Sequence, residues 1–121
     1  MKRRDTGLLG EKLARDFLKK GGYEILDTNY RTPDGEVDII ARHKDTLVFI
    51  EVRTKKSLTF GIPEESITDT KMEKLRLVAE HYRQTHQDLP AAWRIDVVAV
   101  VMDKAGKLRR ISLIENAVDG E

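Results

Sequence analysis

Three charged side chains set the chemical question. In the stretch GEVDIIARHKDTLVFIEVRT, residues 35–54, Asp38 and Glu51 each interrupt an apolar run that reads as a strand, and Arg53 follows Glu51 by two positions. If Lys44-Asp45 forms a two-residue turn, His43 faces Thr46, and counting back pair by pair sets Asp38 directly opposite Glu51. Paired Cβ atoms then lie about 4.5–5.5 Å apart, where two like charges oppose folding unless a cation sits between them or one takes up a proton. Lys-Asp is not the favoured chemistry for such a turn, and a three-residue loop would move Asp38 to a diagonal position. Two carboxylates holding Mg²⁺ or Mn²⁺ beside a cation are the parts needed to hydrolyse a phosphodiester. The metal polarises the phosphate, and the cation stabilises developing negative charge. The competing reading is an ordinary cross-strand ion pair between Glu51 and a neighbouring base.

Alternation along the second strand separates two faces. Val48, Ile50 and Val52 make a wholly apolar face, whereas Leu47, Phe49, Glu51 and Arg53 run from core into a cleft. Around this hairpin, Leu9, Leu13 and Phe17 predict a helix from about Thr6 to Lys20, with Thr6 able to cap its start and Gly21-Gly22 to end it. A short strand over Tyr23 to Asn29 and a turn-rich loop from Arg31 to Gly35 follow. After a basic loop around Lys55 to Gly61, Thr70 and Glu73 offer a capping box for a second helix with Met72, Leu75, Ala79 and Tyr82 on one face. The run from Arg94 to Met102 suits a strand covered on both sides, and Lys107 to Glu115 reads as a last strand. The order α-β-β-β-α-β-β makes an α/β domain with a mixed β-sheet flanked by helices, and Asp38, Glu51 and Glu11 are expected to converge at one edge of it.

The 121 residues show no composition break and read as a single domain, residues 1–121, able to bury on the order of two-thirds of its unfolded surface. With no cysteine, thiolate zinc sites are excluded, nothing calls for an oxidising compartment, and the cytoplasm is the default. The basic start Met1 to Arg4 lacks a following apolar region, because Asp5, Gly10 and Glu11 interrupt it, so neither a signal peptide nor a membrane segment is expected. Lysines and arginines nearly balance the acids, giving a formal net charge of +1. Bases nevertheless cluster at Lys2, Arg3, Arg4, Lys12, Arg15, Lys19 and Lys20, and again at Arg53, Lys55 and Lys56, as a phosphate-binding surface would require. Solvated surface is the plain alternative for both clusters.

Asp38 followed after a hairpin by Glu51-Val52-Arg53 resembles the PD-(D/E)XK nuclease signature. Gly7-x-x-Gly10-Glu11, Gly35-Glu36-Val37-Asp38, Phe49-Ile50-Glu51-Val52 and Arg94-Ile95-Asp96-Val97-Val98 resemble the YraN-like family of small bacterial proteins over nearly the whole chain. That resemblance implies a restriction-endonuclease-like fold similar to archaeal Holliday-junction resolvases. It also implies a metal-dependent activity on DNA, branched or structured DNA included, with Mg²⁺ or Mn²⁺ as cofactor and a homodimer as one assembly. Asp38, Glu51 and Glu11 would be the metal ligands, Asp38, Glu51 and Arg53 the catalytic set, and Lys55 and Lys56 nucleic-acid contacts. Gly7 and Ala14, one turn to either side of Glu11, leave room for close approach; without the family, Glu11 is equally a first-turn acid favoured by the helix dipole. Arg53 departs from the lysine of the nuclease pattern: it keeps the charge but cannot give up a proton. Lys55 or Lys56 would have to fold back to replace it.

Other residues give weaker signals. His43, His81 and His86 lack metal-ligand spacing and are expected at the surface, and Ser57 and Ser66 have no nucleophile context. Trp93 reads as core more readily than as a base-stacking ring, and Asp96 as a local hydrogen-bonding group or a cleft residue. Two functions of different class follow: a metal-dependent nuclease, or a non-catalytic nucleic-acid-binding or protein-interaction module with the same fold. Arg53 separates them.

Overall fold

The computed structural model describes residues 3–56 and 67–115, with the side chains of Arg3 and Arg4 outside that description. In chain order the elements are α1 (Arg3–Lys20), β1 (Glu24–Thr32), β2 (Gly35–His43), β3 (Thr46–Lys55), α2 (Asp69–Thr85), β4 (Ala92–Met102) and β5 (Leu108–Ile114). They form one five-stranded sheet in the order β1-β2-β3-β4-β5. Neighbours are antiparallel except β3 and β4, which run parallel because α2 lies in the connection between them. This is the mixed α/β sheet, in the order α-β-β-β-α-β-β, that the sequence predicts.

Both faces of the sheet are core. Ala14 and Leu18 of α1 cover Ile39, Ala41, Val48, Ile50, Val98 and Val100. Leu75, Val78, Ala79 and Tyr82 of α2 cover Val37, Ile40, Leu47, Phe49 and Ile95 on the other side. Burial on both faces accounts for the apolar run of β4, interrupted only by Asp96, in which the residues from Ile95 to Met102 are all buried.

Several boundaries differ from expectation for local reasons. The first helix begins at Arg3, so Thr6 is a buried residue inside α1 and not its cap. Nothing between Arg3 and Thr6 breaks a helix, and Asp5 favours its first turn. At the other end, Gly22 at φ +89° closes a Schellman motif, with Tyr23 N donating to Leu18 O at 3.0 Å and Gly22 N to Lys19 O at 3.1 Å. The turn-rich stretch from Arg31 to Gly35 is mostly strand. Arg31 and Thr32 pair with Glu36 and Gly35, leaving only Pro33-Asp34 as the turn. The second helix is capped by Thr68, whose Oγ1 accepts from Lys71 N at 3.1 Å, so Thr70 and Glu73 form no capping box. The Lys44-Asp45 turn holds as two residues, with His43 opposite Thr46 and Lys44 at φ 56°.

Candidate functional site

The site lies where β2 parts from β3. Their antiparallel ladder runs from His43↔Thr46 to Ile39↔Ile50, whereas β3 continues against β4 as far as Lys55↔Val101. Past Ile39, the strand's place is taken by a side chain: Val52 N donates to Asp38 Oδ2 at 2.8 Å. Asp38 sits at a switch of faces. Val37 packs on the α2 side and Ile39 on the α1 side, although residues two apart on a regular strand share a face. The partner strand makes the same switch at Asn29, in the left-handed region at φ 51°, between Thr28↔Ile39 and Tyr30↔Val37. Asp38 therefore presents its carboxylate to the opening between the strands. The turn register puts Asp38 and Glu51 together, as counting from the hairpin predicts, but through side chains and not as a rung of the ladder.

Glu51 is 4% exposed and hydrogen-bonds with Asp38. Burial first, and then the Asp38 charge, push its carboxyl up to about 7, against the lowering effect of Lys71 and Arg53. Burial also raises Asp38, while the Val52 N–H and the hydrogen bond with Glu51 oppose the rise. Burial and mutual repulsion thus raise both acids and favour one proton held between them. Two cations meet Glu51 Oε2: Arg53 Nη2 at 3.2 Å and Lys71 Nζ at 3.5 Å. Arg53 Nε is buried and has no hydrogen-bond partner among the described residues. Two adjoining carboxyl groups offer oxygens that suit a divalent cation, and the partly exposed guanidinium of Arg53 suits an anionic oxygen.

Glu11 reaches this region from α1. Its helix crosses β3 at closest range through Gly10, where an added Cβ would collide with Thr54 Oγ1 and lie 3.0 Å from Thr54 Cβ and Cγ2. The glycine that permits close approach is thus Gly10. Space around Gly7 is open and Ala14 is fully buried in the core, so neither flanking position plays the role expected of it. Burial raises the Glu11 carboxyl, as do Asp38 and Glu36, while Arg15 lowers it. With its amide oriented so that nitrogen donates, Asn29 spans Glu11 Oε1 at 3.0 Å and Glu36 Oε1 at 3.2 Å. Asp38 is the acid common to the surroundings of Glu11 and Glu51. Glu11, Asp38 and Glu51 do not form a three-ligand cluster: among the described residues no three His, Cys, Asp or Glu side chains are grouped to hold a metal. The site is also not at an edge of the sheet, since β2 and β3 are inner strands.

Residues 10–100 match the model of the family described as "Uncharacterised protein family UPF0102". The chain belongs to the UPF0102 family. A UPF0102 protein of Caldicellulosiruptor saccharolyticus is 48% identical over 97% of this chain and 99% of its own. One of Dehalococcoides mccartyi is 46% identical over 98% and 97%, and one of Dictyoglomus thermophilum 41% over 97% and 99%. These full-length matches agree with the YraN-like resemblance of the motifs.

The remaining sequence candidates of this UPF0102 chain divide cleanly. Lys55 ends β3 and Lys56 follows it, both partly exposed; the rest of the expected basic loop, Ser57 to Gly61, lies outside the described residues, as does Ser66. The histidines face aromatic rings. His43 stacks on Tyr23 at 4.0 Å, His86 on Tyr82 at 3.8 Å, and His81 Nδ1 meets Tyr30 OH at 2.8 Å. Trp93 packs edge-on against Phe49, with the Arg83 guanidinium 4.6 Å from its ring centre. Asp96 is wholly buried and held by Arg94 Nε at 2.9 and 3.2 Å, so it serves a local hydrogen bond. Lys71 is the site residue that the sequence motifs miss. Its one signal is a lysine at the third helical position, where the dipole and the capping box favour an acid.

Proposed function

We propose that the chain is a metal-dependent nuclease-like protein acting on DNA, with branched or structured DNA among its substrates. The observation that carries this reading is the Asp38–Glu51 pair, two carboxyl groups brought together at the parting of β2 and β3 with Arg53 and Lys71 beside them. Asp38 and Glu51 would hold Mg²⁺ or Mn²⁺, with Glu11 joined through Asp38. When bound, that cation supplies Lewis-acid polarisation of a phosphodiester. The chain's own residues do the rest. The Val52 N–H fixes Asp38, the packed strands exclude water from Glu51, and the partly exposed guanidinium of Arg53 would meet a phosphate oxygen. Arg53 stabilises charge and accepts no proton.

That last property favours a second reading, a nucleic-acid-binding or protein-interaction module without efficient chemistry. A cytoplasmic setting fits either, and among the described residues no helix is long and apolar enough to cross a membrane. The deciding experiment is cleavage of duplex, single-stranded, flap and four-way-junction DNA with Mg²⁺ or Mn²⁺, comparing wild type with Asp38→Asn, Arg53→Ala and Arg53→Lys. The nuclease reading expects metal-dependent cleavage that Asp38→Asn abolishes and Arg53→Ala reduces about a hundredfold or more. Arg53→Lys should keep or raise it. No cleavage by any variant on any DNA shape supports the binding module.

A further inference from the structure

Lys71 stands where the helix by itself would favour an acid. It occupies the first turn of α2, where a cation opposes the helix dipole, and its backbone is fixed there by the Thr68 cap at 3.1 Å. The helix would gain from an acid at this position. The ammonium turns to Glu51 Oε2 at 3.5 Å, the same oxygen that Arg53 Nη2 approaches at 3.2 Å. One carboxylate oxygen thus receives two cations from two different elements, while Arg53 keeps a buried Nε idle. An exposed Glu–Lys pair on a helix surface would be ordinary, but Glu51 has only 5% of its side chain exposed and Lys71 has 33%. The lysine therefore connects the buried acid to solvent.

We propose that Lys71 is the ammonium of this site, standing against Glu51 while the carboxylates hold no metal and turning to a phosphate oxygen of DNA when a divalent cation takes its place on Glu51. This rests on the nuclease-like reading of the Asp38–Glu51 pair. It assigns to α2 the lysine that the nuclease pattern would carry at position 53. A primary ammonium on a flexible stem can change partners in this way, whereas the planar guanidinium of Arg53 is better suited to stay. The exchange also gives the parallel crossover helix a role in the site beyond covering the sheet.

Two titrations of the full chain test it, using Lys71→Met, Lys71→Gln as a second uncharged variant, and Lys71→Arg. In the first, Mn²⁺ alone is titrated calorimetrically. Removing the competing ammonium should tighten Mn²⁺ binding about fivefold in both uncharged variants. In the second, with Mn²⁺ saturating, affinity for a fluorescent four-way DNA junction and a plain duplex is measured. It should fall about fivefold or more in the uncharged variants and recover only in part in Lys71→Arg, whose guanidinium restores the charge but leaves Glu51 less readily. Tighter Mn²⁺ binding with unchanged DNA affinity would reduce Lys71 to a structural ion pair and overturn the proposal, as would Mn²⁺ affinity that ignores both uncharged variants. Failure of wild type to bind Mn²⁺ at all would overturn the metal-site reading itself and the exchange with it.

Discussion

Glu51 is an acid held almost out of water against a second acid, and its ionisation is therefore tied to folding. Its folded value of about 7 stands above the ordinary 4.5. Between those pH values the folded chain binds more protons than the unfolded one, so stability falls as pH rises. The contribution is fully present below pH 4.5 and is lost as pH passes 7; Asp38, raised in the same direction, adds to it with the same sign. The gap corresponds to on the order of 3 kcal/mol. Glu51→Gln removes the titrating group, so urea unfolding of metal-free protein should show the variant gaining on wild type by up to about that amount between pH 5 and pH 8. A difference that stays constant with pH would mean that Glu51 ionises normally.

Element by element, the site depends on how closely α1 lies on the end of β3. Gly10 against Thr54 sets that distance. Gly10→Ala should therefore destabilise by about 1–3 kcal/mol through overpacking, despite the gain in helix propensity. Thr54→Ala in the same chain should recover part of the loss, and simple additivity in thermal unfolding would show that the two do not touch. Much of this arrangement was legible in the sequence. The Lys44-Asp45 turn fixes a register, and that register brings Asp38 to the level of Glu51. The face switch at Asp38 was not legible, since it arises from a left-handed Asn29 whose conformation depends on the neighbouring strand and on two glutamates. The reach of β1 to Thr32 was hidden because a strand can absorb turn-forming residues when its partner offers a ladder. Thr70 with Glu73 imitated a capping box that Thr68 makes unnecessary, and this obscured Lys71.

Taken whole, the molecule carries 22 lysines and arginines against 21 acids, so attraction to DNA must come from the placement of charge and not from its sum. Lys55 and Lys56, at the end of the strand that carries Glu51 and Arg53, are the bases nearest to the site along the chain. Replacing both by alanine should weaken DNA binding equally across sequences and flatten its salt dependence by up to roughly 0.9 logarithmic units for each duplex phosphate left unneutralised. An unchanged slope would place the DNA elsewhere. Asp38 lies within electrostatic reach of Glu11 from α1 and Lys71 from α2, and a divalent cation should bind where β2 and β3 part. Calorimetric titration of Mn²⁺ into wild type, Asp38→Asn and Glu51→Gln tests this without reliance on cleavage. Wild type should bind, and each variant should bind at least about tenfold more weakly; equal affinity in all three would contradict the account.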